Sequence, residues 1–341
     1  MTAWQDHVDV AALGRWMDGQ GLPGGPVEHA VLLGGGTQNI LLRFQRGGRD
    51  YVLRRPPPHV RAESNETMRR EARLLGALAD TAIPHPRLIA ACGEEGVLGT
   101  AFYLMEPVEG FNAAVALPPS HRSLTRQMGL ALAEAAAALG EIDPVAVGLG
   151  DFGRTENYLG RQAARWRRQL EGYGAYPDWP GLAALPDVAA IGDWLERHCP
   201  TDFRAGILHG DYHIGNVMFA PDSARIAAIV DWELSTVGDP LVDLGWLIAT
   251  WGWGDADPPI VPVEPWEGFP TTGELADAYA AQSTRSLAAL DWYVVLACYK
   301  LGIILEGTYA RASSGLDDGA TGASLHASAV RLFERALRLT A

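Results

Sequence analysis

From residue 31 to residue 55, short apolar runs are broken by glycine. Val31-Leu32-Leu33, then Gly34-Gly35-Gly36-Thr37, then Ile40-Leu41-Leu42-Arg43-Phe44 read as strand, glycine turn, strand. Gly47-Gly48-Arg49-Asp50 turns the chain into a third strand, Tyr51–Arg55, and Pro56-Pro57-Pro58 stops it, because proline cannot donate to a ladder. The period then changes. Met68, Ala72, Leu75 and Leu78 recur at helical spacing and predict a helix over 65–79. Two further strands at 87–91 and 99–106, with a short amphipathic helix at 6–18, complete a small lobe of five strands and one inserted helix. After Pro107 the pattern is helical, at 124–140, 155–172, 187–198, 239–250, 273–283, 286–310 and 323–339. Two short strands, 216–219 and 226–230, interrupt it, and 252–271 and 311–322 read as loops. The expectation is an α+β chain, with residues 1–106 a small nucleotide-binding lobe and 107–341 a larger, mainly helical lobe that holds the catalytic loop, metal site and acceptor pocket.

The richest chemistry lies in the second part. His209-Gly210-Asp211-Tyr212-His213-Ile214-Gly215-Asn216 is followed fifteen residues later by Asp231-Trp232-Glu233. An Asp and an Asn five apart, then a second Asp after an apolar strand, is the set that phosphoryl transfer from a nucleotide needs. One carboxylate orients and deprotonates a hydroxyl; an amide oxygen and another carboxylate hold magnesium, a hard cation that takes oxygen ligands. Asp211 is the expected base, and Asn216 and Asp231 are the expected magnesium ligands. His209 reads as a brace of the loop. His213 either faces the substrate or supports the loop, and Glu233 is either a further metal or water ligand or a turn cap.

The first part supplies candidates for the nucleotide. Gly35, Gly36 and Thr37 present backbone N–H groups to phosphate; no G-K-[ST] and no helix follow, so this is not a Walker A loop. Val52 and Arg54 share a strand face, which lets Val52 touch the base while Arg54 reaches the phosphates; Arg55 points the other way, toward solvent. Glu71 is the helix acid that holds Arg54. Met105, Glu106 and Val108 lie in a hinge whose backbone faces an adenine edge. Asp239 before Pro240 reads as a helix cap that braces the loop, and Asp243 as structural.

Charge narrows the partners. At −14 net charge the chain repels phosphate backbones and anionic membranes, so neither nucleic acid nor a membrane is expected as a partner. Three scattered cysteines suggest no disulfide framework or structural zinc. No secretory signal is evident at the N-terminus. The apolar run Trp292–Leu305 contains Lys300 and is shorter than the ~20 residues of a membrane span, so it reads as a buried helix. A cytoplasmic location follows as the default. Of 27 basic residues one is lysine, Lys300. Arg161, Arg165 and Arg168 share a helix face, either solvated or set to receive an anion. Trp246 reads as core, while Trp251, Trp253 and Trp266 among Asp255, Asp257, Glu264 and Glu267 form the corresponding candidate for a cation.

The order of these parts resembles the aminoglycoside and choline kinase-like phosphotransferases. The family's H-G-D-x-H-x-x-N, I-D-W/F-E/D and G-D-P-x-x-D match His209–Asn216, Val230-Asp231-Trp232-Glu233 and Gly238–Asp243. Gly34–Asn39, Tyr51–Pro57, Phe102–Glu106 and Arg161–Trp166 are similar to the kinase-like domain associated with acyl-CoA dehydrogenases. The resemblance implies a two-lobed protein-kinase-like fold, ATP and Mg2+ as cofactors, and a small-molecule hydroxyl acceptor; for that branch it implies a hydroxyacyl thioester. A cationic amino-sugar acceptor and an inactive nucleotide-binding module are the alternatives. Arg54 stands where the wider family has lysine, which keeps the charge but not its shape. Oligomeric state is not indicated.

Overall fold

The computed structural model describes residues 4, 8–34, 39–57, 63–254 and 256–341. Two compact units emerge. One comprises Met1–Gly110 with Met218–Pro221 and Ile226–Glu233; the other comprises Phe111–Val217, Asp222–Arg225 and Leu234–Ala341. A contiguous division at residue 106 therefore differs from the one observed. Met218–Pro221 and Ile226–Glu233 belong with the first unit because their backbone is pinned there. Ile229 N–H donates to the Pro84 carbonyl at 2.9 Å. Gly110 lies so close to Phe219 that an added Cβ would meet its carbonyl oxygen at 2.5 Å.

The first unit holds α1 (Val10–Gly19), β1 (Glu28–Leu32), β2 (Ile40–Arg46), β3 (Arg49–Arg55), α2 (Ser64–Leu78), β4 (Leu88–Cys92) and β5 (Phe102–Met105). The strands form one antiparallel sheet in the order β1-β2-β3-β5-β4. Strand alternation sorts the side chains by face. Leu42, Phe44, Tyr51, Leu53, Phe102 and Leu104 bury with Leu13 and Met17 of α1. On the opposite face Arg54 of β3 is paired in register with Tyr103 of β5, and both reach Glu71 of α2. Arg55, expected in solvent, is buried, and its Nε donates to the Pro56 carbonyl.

The second unit carries α3 (Thr125–Glu141), α4 (Gln162–Gly172), α5 (Val188–Arg197), β6 (Gly206–Leu208), then, after the hairpin strands β7 (Val217–Phe219) and β8 (Ile226–Ile229), β9 (Thr236–Gly238), α6 (Leu241–Thr250), α7 (Thr272–Gln282), α8 (Leu290–Ser313) and α9 (Gly319–Thr340). The pair β6–β9 had no counterpart in the sequence pattern, since three-residue strands show no period. The apolar run around Lys300 lies within α8, a 24-residue helix. By length and composition α8 is the one described helix that suffices to cross a membrane, and 67% of its apolar window is buried inside the protein.

Close approach of α6 to α8 fixes the floor of the site. A Cβ at Gly245 would lie 2.5 Å from the Tyr293 carbonyl oxygen. Gly245→Ala must push apart the helices that carry Asp243, Trp246 and Lys300. Overpacking of this kind costs about 1–3 kcal/mol. Urea unfolding of the variant is expected to show that loss; an unchanged midpoint would mean the helices yield freely.

Candidate active site

In the first unit the chemistry converges on one guanidinium. Arg54 Nε lies 2.9 Å from Glu71 Oε2, and its Nη2 donates to Glu71 Oε1 at 3.0 Å and to Asp231 Oδ1 at 2.9 Å. Tyr103 donates its hydroxyl to Glu71 Oε2 at 2.7 Å. Burial works against the Arg54 charge, but Glu71, Tyr103 and Asp231 outweigh it and raise its pKa, so it stays cationic. Burial pushes Glu71 up against the pull of Arg54. Burial and then the Asp231 charge push Glu233 up as well. Oxygens of Glu71, Asp231 and Glu233 lie within 4.8 Å of one another. Asp231 sits just past β8 with φ +66°, a left-handed backbone rare outside glycine but tolerated by Asp. With Oδ1 on Arg54, its other oxygen can ligate a hard cation.

In the second unit Asp243 organises the loop after β6. This fully buried carboxylate accepts the N–H of His209 at 2.6 Å and of Gly210 at 2.9 Å. Gly210 has φ +86°, and a Cβ there would meet the Leu234 carbonyl oxygen at 2.4 Å, so only glycine fits. The next residue, Asp211, is then held by its neighbours. Trp246 Nε1 donates to Oδ1 at 2.9 Å, Asn216 Nδ2 donates to Oδ2 and to the Asp211 carbonyl, each at 2.9 Å, and His213 Nε2 lies 3.4 Å from Oδ1. His209 Nδ1 accepts the Asp211 N–H at 3.3 Å. Burial would raise the Asp211 pKa, but His213, His209 and Lys300 hold it well below the usual carboxylate range. Because Asn216 spends its amide nitrogen on Asp211, its Oδ1 is the end turned away and able to ligate. Asp239 accepts the N–H of Leu241 at the start of α6, and Tyr293 donates to it.

Beside this loop lies a cavity of about 680 Å³. Arg154, Arg161, Arg165, Arg168 and Lys300 line it, with Tyr158 and Trp166, and no carboxylate among the described residues does. The arginine face of α4 is thus the wall of a basic pocket rather than a plain solvated stripe. Part of the acidic tryptophan loop is internal structure, while Glu264 and Glu267 stay exposed and line a second cavity of about 620 Å³ with Trp266, and Asp255 lies outside the described residues. Asp257 is bound by Arg335 and Arg338, Trp251 Nε1 donates to Pro270, and Trp253 Nε1 to Ile248.

Of the residues singled out in the sequence, Val52, Arg54, Glu71, Met105, Glu106, Val108 and Asp231 belong to the first unit, and Asp211 and Asn216 to the second. Val52 is buried on β3 opposite Met105. The Glu106 N–H is committed to the Arg87 carbonyl at 2.9 Å, and its carboxylate pairs with Arg49. Gly35, Gly36 and Thr37 lie outside the described residues. Sequence reasoning missed the role of Tyr103 and, although it placed Trp246 in the core, missed its hydrogen bond to Asp211. The registered pairing of β3 with β5 was the available signal for Tyr103; for Trp246 it was its spacing from Asp243, one turn of the same helix.

A family model for the phosphotransferase enzyme family matches residues 29–293. The chain belongs to that family. It is 28% identical over 90% of its length to acyl-CoA dehydrogenase family member 11 of Rattus norvegicus, of which the match covers 40%. This phosphotransferase chain therefore spans well under half of that relative. Among solved structures, a Ralstonia eutropha protein assigned provisionally as an aminoglycoside phosphotransferase superposes with TM-score 0.79 at 28% identity, covering 97% of this chain and 99% of that one. Choline kinase from Cryptosporidium parvum superposes with TM-score 0.59 at 11% identity over 91% of this chain and 89% of its own, which shows the shared kinase-like α+β fold. By family, then, the chain is a phosphotransferase.

Arg54 and Glu71 form a buried pair in this phosphotransferase, so removing one partner strands the other charge. Arg54→Met is expected to destabilise by about 3–5 kcal/mol, and the double change with Glu71→Leu to recover most of it. Denaturant unfolding of the two variants checks this. Equal losses in both would mean that the pair carries no coupling.

Proposed function

We propose that the chain transfers the γ-phosphate of ATP, with magnesium, to a hydroxyl of a small anionic molecule, and that a hydroxyacyl-CoA is the acceptor. The single observation behind the acceptor class is the basic cavity. In a protein of net charge −14, five cations and no acid among the described residues line the space beside Gly210. A coenzyme A thioester brings phosphates for the arginines and an adenine or acyl chain for Trp166 and Tyr158. The likeness to a stretch of acyl-CoA dehydrogenase family member 11 supports the same chemistry. A cationic acceptor finds less support, since the acidic tryptophan loop spends Asp257 on Arg335 and Arg338.

In this reading Val52 packs on the nucleotide base, and the Glu106 carbonyl with backbone groups of Met105 and Val108 meets its edge; Gly35, Gly36 and Thr37, the sequence candidates for the phosphates, lie outside the described residues. Arg54, kept cationic by Glu71, neutralises phosphate charge. Asp231 and Asn216 are the magnesium ligands, an all-oxygen pair suited to a hard cation. A magnesium ion held by them would offset negative charge on the phosphates. Asp211 aligns the acceptor hydroxyl. Held so far below the usual carboxylate range, it is a weak base and a good acceptor of a hydrogen bond. That suits a loose transition state in which the hydroxyl proton leaves late.

Two measurements test the reading. ATP with magnesium is expected to stabilise the protein by about 2.7 kcal/mol at a hundred times its Kd, and absence of any thermal shift at millimolar ligand would reject nucleotide binding. In a transfer assay with hydroxyacyl-CoAs, aminoglycosides and choline, the CoA thioesters are expected to react. Asp211→Asn is expected to lower kcat by about 10²–10⁴-fold while ATP still binds. Arg161→Ala with Arg165→Ala is expected to raise the acceptor KM about tenfold or more, as for lost charged hydrogen bonds. Turnover of an aminoglycoside alone would overturn the acceptor assignment.

A further inference from the structure

Lys300 is the chain's single lysine among 27 basic residues, and its surroundings differ from those of the arginines. It projects from α8 into the wall of the basic cavity. Its Nζ donates to the Gly210 carbonyl at 3.2 Å and stands over two indoles, 4.3 Å from the Trp246 ring centre and 5.6 Å from that of Trp166. Both contacts lead to one group. Gly210 is bonded to Asp211, and the Trp246 indole donates to the Asp211 carboxylate. A compact ammonium can point at a carbonyl while resting on a ring face; a planar guanidinium is bulkier and spreads its donors in a fork.

We propose that Lys300 is a positioning residue for Asp211: its ammonium locks the Gly210 peptide and the Trp246 indole, and through them sets the carboxylate that aligns the acceptor hydroxyl. The device costs stability, which argues against a purely structural role. Burial lowers the Lys300 pKa to about 8, against the pull of Asp211 and Asp243 and with help from Arg165. The other groups that face it are Trp246 of α6, Trp166 of α4, and Arg154, Arg161 and Arg168 around the same cavity. The sign follows. Below the folded-state value the buried ammonium is present and the lock is closed, at a cost to the fold; as pH rises through it the ammonium is lost and the lock opens.

The inference about Asp211's task rests on the phosphotransfer reading, so one arm of the test is independent of turnover. In full-length 15N-labelled protein the Trp246 indole N–H resonance is assigned by its loss in Trp246→Phe. It is expected to titrate with a midpoint near pH 8 in the wild type and to be flat in Lys300→Met and Lys300→Arg. A wild-type resonance that does not move, or one that still titrates in Lys300→Met, overturns the proposal. The second arm measures phosphate transfer from ATP to 3-hydroxybutyryl-CoA. Lys300→Met is expected to lower kcat on the order of 10²-fold, the size of an ångström-scale misplacement, with the KM for ATP within about twofold and no fall in melting temperature at pH 7. A kcat loss that only tracks a lowered melting temperature assigns Lys300 to the fold instead and also overturns the proposal. If the wild type transfers nothing, the phosphotransfer reading fails, and the indole titration alone decides whether Lys300 governs Trp246.

Discussion

The two N–H···O bonds from His209 and Gly210 to the Asp243 carboxylate are the constraint on which the catalytic loop depends. They anchor the loop to the first turn of α6, inside the second unit, where water cannot compete. With Gly210 held in its left-handed conformation, the chain reverses and delivers Asp211 to Trp246, one turn further along the same helix. Asn216 then closes the far side of the loop on the same carboxylate. A single buried acid thus sets the geometry of Asp211. Burial alone raises the Asp243 pKa, so the loop's two N–H donors and His209 are what make its ionised form tolerable.

The first unit solves a different problem, holding a fixed positive charge in a buried place. Arg54 is nearly enclosed, yet Glu71, Asp231 and the hydroxyl of Tyr103 behind Glu71 form a chain that keeps it charged. The substitution of arginine for lysine is legible in this geometry. A guanidinium grips Glu71 through two nitrogens and still offers one to Asp231, which an ammonium on one point could not do as rigidly. Nearby, Glu233 accepts from Asn39 at 3.4 Å, so the turn after β8 is tied to the start of β2.

Much of this was readable from the sequence because local chemistry and period agreed. Strands with glycine turns between them, the helix over 65–79 and most later helices show strong periodicity, and their bounds fall close to those observed. The contact of Asp211 with Asn216 was legible from their spacing, and that of Arg54 with Glu71 from their places on strand and helix. What could not be read were relations between distant segments. Arg55 is buried, β6 and β9 are too short for a pattern, and β8 is held in the first unit by a bond from Ile229 to Pro84. The arginine face of α4 looked like a solvated stripe until Lys300, from a helix well over a hundred residues later, was seen to complete the pocket.

The central claim is that a permanently ionised Asp211 receives the acceptor hydroxyl. The pH dependence of kcat/KM for phosphate transfer tests it most directly, from about pH 5 to pH 7, where an ordinary imidazole titrates near 6.5. Because Asp211 is held far below the usual carboxylate range, the account predicts no acid limb across that interval. An acid limb near the imidazole value that disappears in His213→Asn would contradict it and make His213 the base.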